Sequence, residues 1–365
     1  ADAGFKLRHD PFLARRADRV RHPDLVCRLG RIGYLIRLRC PDYSTATTAT
    51  VRARARMPNS SPIADVPVAR ETGGDNPLSP DGWRDDGSRT LDALRAELDR
   101  IDDALHDLLM ERAGVIEQVA RAGKRSALRP GREAAIIRRL LARHHGSLPT
   151  QTLVRIWREL LAGTTAMQGG FSVAVCAVDG DNSYVQAARE HFGALTPLRV
   201  HRSPAHAIGE VSAGTASVAV LPLPSETEAP RDAWWTALLH KDEPRIHVTG
   251  RLPFWAPRPE GAPGVQALVI AAAAPDASGA DRSLLGLELP LEVSRARLVG
   301  ALTTGGFEPS HVILRRDPGA PAADAIADVH GFVADDDPRL DNLGTLLRHP
   351  VVLGAYAIQV DGTPA

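Results

Sequence analysis

Between Thr90 and Gln168 apolar residues recur by threes and fours. Leu91, Leu94, Leu98, Ile101, Leu105, Leu108, Ile116 and Val119 form one stripe over about thirty residues, with no Pro or Gly before Gly114 and with Ser88 or Thr90 placed to cap. At about 1.5 Å per residue this helix is roughly 45 Å long, longer than the core its own short segment supplies. A partner, most simply a second copy of the chain, is expected to cover it. A loop near Gly123 to Gly131 leads to a second helix, Arg132 to about His144, carrying Ile136, Ile137, Leu140 and Leu141. GSLPT breaks the pattern, and a third helix runs from about Thr150 to Gln168 through Leu153, Ile156, Trp157, Leu160 and Leu161.

At GGFSVAVCAVDG the period changes to alternation, which marks a boundary near Gly169 and a first strand at about Phe171 to Val178. Beyond it SVAVLPL and VQALVIAAAA read as strands and SYVQAAREHFG as a helix, so residues 170–290 are α/β. Residues 291–365 read as a further small α/β unit. There LEVSRARLVGALTTGGF gives strand then helix, HVILRRD and ADVHGFVAD two strands, and DNLGTLLRH with VVLGAYAIQV a helix and last strand. The expected architecture is multidomain: an all-α three-helix unit over 89–169, then an α/β C-terminal region in two parts. Residues 1–88 hold no sustained period and turn rich in Thr, Ser, Pro, Gly and Asp, which reads as a disordered or non-native N-terminal extension. Met57 opens a shorter product, and the Arg-rich, acid-poor opening also fits a transit peptide.

Composition narrows the classes of function. The chain has 365 residues, 44% hydrophobic and 24% charged, enough for more than one core. Its formal net charge is zero, so no overall field recruits nucleic acid or an anionic membrane, and any anion site must be built locally. Cys27, Cys40 and Cys176 fit no metal spacing, and the expected compartment is the reducing cytoplasm. No apolar run approaches the roughly 20 residues that span a bilayer.

Against this background the charges on the helical seams stand out. Leu105, Leu108, Leu109, Ile116 and Val119 put Arg112 in the middle of their stripe. In the second helix the stripe of Ile136/Ile137 and Leu140 extends back to Glu133, and in the third Trp157 and Leu161 continue to Thr164 and Gln168. Arg95 sits beside Leu94, while Lys124 and Arg132 bracket the loop between the first two helices. Singly, each has an ordinary explanation: a snorkelling arginine, an acid answering a helix dipole, a fraying end. Together they bury an acid, a hydroxyl, an amide and up to four cations in one small bundle, and an unpaired buried ion costs several kcal/mol. The surplus of positive charge calls for an anion that the polypeptide does not supply. A cavity for a small, multiply anionic ligand is therefore expected, with a dicarboxylate first among the choices because Arg grips carboxylates bidentately.

The runs LRAELDRIDDALHDLLMERAGVIEQVARAGK, RPGREAAIIRRL and RIWRELLAGTTAMQ resemble the all-helical (AroQ-class) chorismate mutases over Leu91 to Gln168. The resemblance implies an intertwined helical homodimer in which an arginine of the partner's long helix completes each pocket. It assigns that crossing arginine to Arg95, the grip on the substrate carboxylates to Arg112 and Arg132, and the ring hydroxyl to Glu133. Thr164 would support a carboxylate, and Gln168 with Lys124 would contact the ether oxygen. The substrate implied is chorismate, with no metal or organic cofactor. Three departures stand: the family's lysine position falls on Gly123, so Lys124 serves only if the helix has relaxed by then, the loop to Arg132 is a few residues shorter than usual, and an acidic position before the Arg-Glu pair is Arg129 here.

Residues 171–290 faintly resemble prephenate dehydratase domains through NSYVQAAREHFG and SVAVLPLPSE, with Pro224 and Ser225 where that family has Asn-Ser. Its Thr-Arg-Phe motif is missing, since the matching place reads GVQALVIA, so a degenerate relative is expected. The last unit weakly resembles ACT regulatory domains in its β-α-β-β-α-β order and the GAL of Gly300 to Leu302. The expected activity is chorismate mutase in phenylalanine and tyrosine biosynthesis; the alternatives are a bifunctional mutase and dehydratase, or a non-catalytic regulator of the aromatic pathway.

Overall fold

The computed structural model describes residues 90–122, 128–177, 182–240, 242–256, 258, 260–346 and 348–361. The N-terminal extension and Lys124 lie outside them. Three helices open the described chain: α1 (Leu91–Arg121), α2 (Pro130–Ala142) and α3 (Thr150–Ala166). The Thr90 hydroxyl accepts from the Ala93 N–H at 3.3 Å and caps α1, as its sequence position predicts. The second helix starts two residues earlier than expected, because Pro130 is accommodated in a first turn that has no partner for its missing N–H anyway.

Then follow β1 (Val173–Cys176), α4 (Ser183–Phe192), β2 (Leu198–His201), α5 (Pro204–Ser212), β3 (Val218–Pro222), β4 (His247–Leu252), β5 (Trp255–Ala256) and β6 (Ala267–Ala271). The chain continues with β7 (Asp281–Leu289), α6 (Arg295–Thr304), β8 (Pro309–Arg315), β9 (Ala323–His330), β10 (Arg348–Ala357) and β11 (Val360–Asp361). Nine strands form one mixed sheet in the order β2-β1-β3-β6-β4-β10-β7-β9-β8, and β5 pairs with β11 in a separate ribbon. Within the nine-stranded sheet parallel pairing is confined to β2-β1-β3 and the β4/β10 contact, and its other ladders are antiparallel; the β5/β11 ribbon is parallel.

The last unit keeps the expected order of elements with two corrections. Its first strand is DRSLLGLEL at 281–289, ahead of LEV, which forms the turn into α6. Seven of the nine side chains in β7 are buried, so neither face is marked by alternation. The segment DNLGTLLRH supplies a 3-10 helix, Pro338–Leu346, in place of the second α-helix.

Each face of the sheet is covered differently. One face packs Leu221, Leu268, Leu284 and Leu353 under α5 and the 3-10 segment holding Trp234 and Trp235. The opposite face carries two cores, Val175, Val220 and Val269 under α4, and Leu285, Leu287, Leu298 and Phe307 under α6. The two halves of the sheet join where Gly354 of β10 pairs with Val248 of β4. There φ is +140°, and a Cβ on Gly354 would lie 2.1 Å from the Val248 carbonyl oxygen, so only glycine lets the strands close.

The helical segment divides in its packing. A fourth core joins Ala134 and Ile137 of α2 and Val154 and Leu161 of α3 to Phe254, Trp255 and Val360 of the ribbon. By contrast α1 has no buried residue, and its stripe lies open, with Leu91, Leu98 and Leu108 each about 60% exposed. Among the described residues no helix is long and apolar enough to cross a membrane.

Replacing Gly354 by Ala is expected to lower stability by about 3 kcal/mol, since overpacking adds to the strain of a positive φ. Urea unfolding followed by circular dichroism measures it.

Candidate active site in the helical segment

The last third of α1 lines, together with α2 and α3, a cavity of ≈ 670 Å³. Each helix contributes the seam its spacing predicted. Arg112, Ile116 and Val119 enter from α1, Arg132, Glu133 and Leu140 from α2, and Trp157, Thr164 and Gln168 from α3. Five of the seven site residues expected from sequence therefore share one hollow. Arg95 is outside it, near the exposed start of α1 and bonded to Asp92 at 3.2 Å. Lys124 lies outside the described residues; before it α1 ends at Arg121, with Ala122 as its cap.

The polar groups are held by their own helices. The buried Thr164 hydroxyl donates to the Leu160 carbonyl at 2.9 Å and accepts from Arg112 Nη1 at 3.4 Å. The Gln168 amide donates to the Thr164 carbonyl at 3.1 Å, one turn back. This leaves the carboxamide oxygen of Gln168 and most of the Arg112 guanidinium for a ligand. Burial lowers the pKa of Arg112 from its ordinary value, a sign of a cation kept from water.

The protein answers some of the cavity's charge itself, which corrects the expectation that it supplies no anion. Arg129, which also lines the cavity, bonds through Nε to Asp276 at 2.9 Å. Asp276 lies in the loop between β6 and β7 and also accepts the N–H groups of Gly131 at 2.9 Å and Arg132 at 3.2 Å, so it caps α2 from the distant chain. A Cβ on Gly131 would stand 2.0 Å from the Asp276 carbonyl oxygen, so this approach also requires glycine. Among the described residues Arg112, Arg132 and the cavity's Arg139 pair with no carboxylate.

Sequence reasoning missed Arg158. Its side chain is only 6% exposed; Nη1 bonds Glu133 at 3.2 Å, the guanidinium lies 4.5 Å from the Phe254 ring centroid, and His191 Nε2 is 3.5 Å away. A count of Val154, Arg158, Leu161 and Thr165 by fours and threes, all buried, would have found it as readily as Arg112. Burial holds the Arg158 pKa down to about 10, against the pull of Glu133, so it stays charged at neutral pH. Glu133 is raised from the usual carboxylate value, first by burial and then by Asp276, with Arg158 opposing. His191 is held well below its ordinary value by burial and by the Arg158 charge. A second guanidinium, Arg138, ties the same helix to the α/β region through the Ser278 hydroxyl at 2.7 Å and the carbonyls of Ala280 and Ile358 at 2.9 and 2.7 Å.

The depressed pKa of His191 sets a pH dependence. Below its ordinary value of 6.5 the unfolded chain takes up the proton first, so stability present above that value is lost as pH falls. Glu133, raised, works in the opposite sense, so the comparison is with a variant. The stability advantage of wild type over His191→Asn should shrink by on the order of 1 kcal/mol between about pH 7.5 and about pH 5.5 in urea unfolding.

Comparison with known protein families falls on the same segment. Residues 94–169 match the family model of chorismate mutase type II. Bifunctional chorismate mutase/prephenate dehydratases are similar: that of Stutzerimonas stutzeri is 30% identical over 146 residues, covering 38% of this chain and 40% of the relative. That of Aquifex aeolicus is 30% identical over 128 residues, covering 33% and 34%. The matches thus span about two-fifths or less of these relatives' length. Among solved structures, prephenate dehydratase from Streptococcus mutans is 17% identical over 52% of this chain and 98% of its own, with a TM-score of 0.39. GqqA, described as a novel type of quorum quenching acylase, is 19% identical over 52% and 96%, with a TM-score of 0.40. At these scores the structural likeness carries no argument about function. Over residues 94–169 this chain carries a chorismate mutase type II segment, as its three helical runs led one to expect.

Proposed function

We infer that the chain is a chorismate mutase, converting chorismate to prephenate in the cavity between α1, α2 and α3. The observation that carries this reading is the convergence of Arg112, Arg132, Glu133, Thr164 and Gln168 on one hollow within the matched segment. The rearrangement is unimolecular. One carbon–oxygen bond breaks as one carbon–carbon bond forms, with no nucleophile, proton carrier or cofactor required. What lowers the barrier is holding the compact diaxial conformer of a dianion and placing donors where charge grows on the ether oxygen.

Arg112 and Arg132 have free guanidinium donors for the two carboxylates, and Thr164 fixes one edge of Arg112. Glu133, oriented by Arg158, receives the ring hydroxyl. Gln168 and Lys124 polarise the ether oxygen. Gln168 does so by turning its amide from the Thr164 carbonyl, a rotation that costs one part-buried hydrogen bond. Arg95 and the open stripe of α1 are assigned to a second copy of the chain, whose matching helix would cover Leu98 and Leu105 and bring its own Arg95 to this pocket.

The full chain is expected to consume chorismate, and Arg112→Ala or Gln168→Ala to lower kcat/KM about a hundredfold or more, near 3 kcal/mol of transition-state stabilisation. Turnover equal to wild type in both variants would remove the reading. The crossing of Arg95 has its own test. Co-expressed Arg95→Ala and Arg112→Ala chains should regain about a quarter of wild-type activity, because half the dimers are mixed and one of their two sites is intact. No recovery places Arg95 and Arg112 in the same chain's site or neither.

A second reading adds dehydratase activity, which the similar bifunctional chorismate mutase/prephenate dehydratases combine with the mutase. Release of phenylpyruvate from prephenate by the purified chain decides it.

A further inference from the structure

The face of the sheet that carries Trp234 and Trp235 is not covered along its whole length. Register shows what the open end presents. Arg282 pairs with Tyr356, Leu284 and His311 each with Asp328, Ile313 with Ile326, and Arg251 with Leu268. Directly opposed residues share a face, and positions two apart along a strand share it too. These side chains from six strands therefore line one hollow, ≈ 360 Å³ in volume, closed at its rim by the Leu223–Pro224 turn after β3. It is separate from the helical cavity, with which it shares no residue.

The hollow has an apolar floor and a charged wall. Leu268, Leu284, Ile313 and Ile326 make the floor. In the wall Asp328 accepts from Arg282 Nε at 2.7 Å and from the Tyr356 hydroxyl at 2.5 Å. Arg251 Nη1 donates to that same hydroxyl oxygen at 3.2 Å and stands 3.8 Å from Asp328. Its Nη2 is held by Gln266 at 2.7 Å. Tyr356 stays neutral, its pKa pushed up to about 12 by burial and the neighbouring carboxylate. Among the described lining residues two guanidiniums thus face one carboxylate, and Arg282 Nη2 is buried without a partner. Partly desolvated positive charge in that ratio favours an anion.

We propose that this hollow binds a small organic carboxylate with an apolar body, its carboxylate between Arg251 and Arg282 and its body on the leucine and isoleucine floor. The volume lies at the small end of the ~300–1,000 Å³ range of ligand pockets, which suits one ring or a branched chain. The net charge of the wall, one positive, matches one carboxylate. The proposal is independent of the mutase reading.

Isothermal titration of the full chain with hydrocinnamate tests it, with hydrocinnamyl alcohol as the uncharged analogue and acetate as the charge without the body. Saturable one-to-one binding of hydrocinnamate is expected, weakened about tenfold or more in Arg251→Gln and unchanged in Arg112→Ala, with no saturable binding of the alcohol or acetate. Arg251 is one-third exposed and its loss should leave the fold intact. If Arg251→Gln loses its native circular dichroism, Ser310→Trp, at an exposed rim position, fills the hollow and carries the same expectation. Absence of saturable binding, equal binding of the alcohol, or loss in Arg112→Ala but not in the pocket variants overturns it.

Discussion

A buried ion pair of the helical segment lies where the two parts of this molecule meet. Arg158 and Glu133 face each other within the seam between α2, α3 and the α/β region, and Phe254 closes over the guanidinium. Neither ion is comfortable there alone, since burial pulls the pKa of Arg158 down and that of Glu133 up. Their mutual attraction opposes both shifts, and loss of either partner leaves the other without its counter-charge at a cost of about 3–5 kcal/mol. The pair also explains a silent histidine, because a fixed positive charge beside His191 opposes a second one. Glu133 belongs at once to this pair and to the wall of the helical cavity. Its position there is therefore set by residues of the α/β region, not by the helical segment alone.

That constraint gives α2 and α3 two working faces and leaves α1 with half of one. Their inner face is spent on Phe254, Trp255 and Val360, and their outer face on the cavity. The N-terminal two-thirds of α1 finds nothing to cover among the described residues. A 31-residue helix with so much apolar area in water is not stable on propensity alone. The assignment of a second copy to this stripe accounts for both the open leucines and the stranded Arg95 with one contact. It also argues against treating the three helices as a free-standing unit, because excision at Gly169 would bare the inner face of α2 and α3 along with Arg158 and Arg138.

What the sequence reveals about such a site depends on the range of the interactions that build it. Arg112, Glu133, Thr164 and Gln168 are legible because each interrupts a helical stripe, and helix periodicity is local. Arg158 obeys the same rule and escaped only because the third helix has two adjacent buried stripes, and Trp157 marks the more conspicuous one. Asp276 is different in kind. It caps a helix that begins about 145 residues earlier, and no spacing in the chain connects the two. Strand β7 was hidden for another reason: as a central strand buried on both faces, with Asp281 and Ser283 among its buried residues, it lacks the alternation that announces strands where one face meets water.

A chain with zero formal charge nonetheless holds two separate surpluses of arginine, and the way each is built follows from its scaffold. In the helical cavity the cations come from different helices and are spaced along their seams, leaving Arg112 and Arg132 without a carboxylate ion pair among the described residues. On the sheet, cross-strand pairing forces Arg282, Tyr356 and Asp328 into contact, and the charge is largely answered before a ligand arrives. The first arrangement suits a ligand that brings two negative charges, and the second one that brings a single charge and an apolar body. Since a helix seam and a sheet face impose these spacings whatever the side chains, exchanging Arg for Lys would weaken each site through lost bidentate geometry rather than through lost charge. Both hollows are thus set by backbone geometry first and by residue choice second.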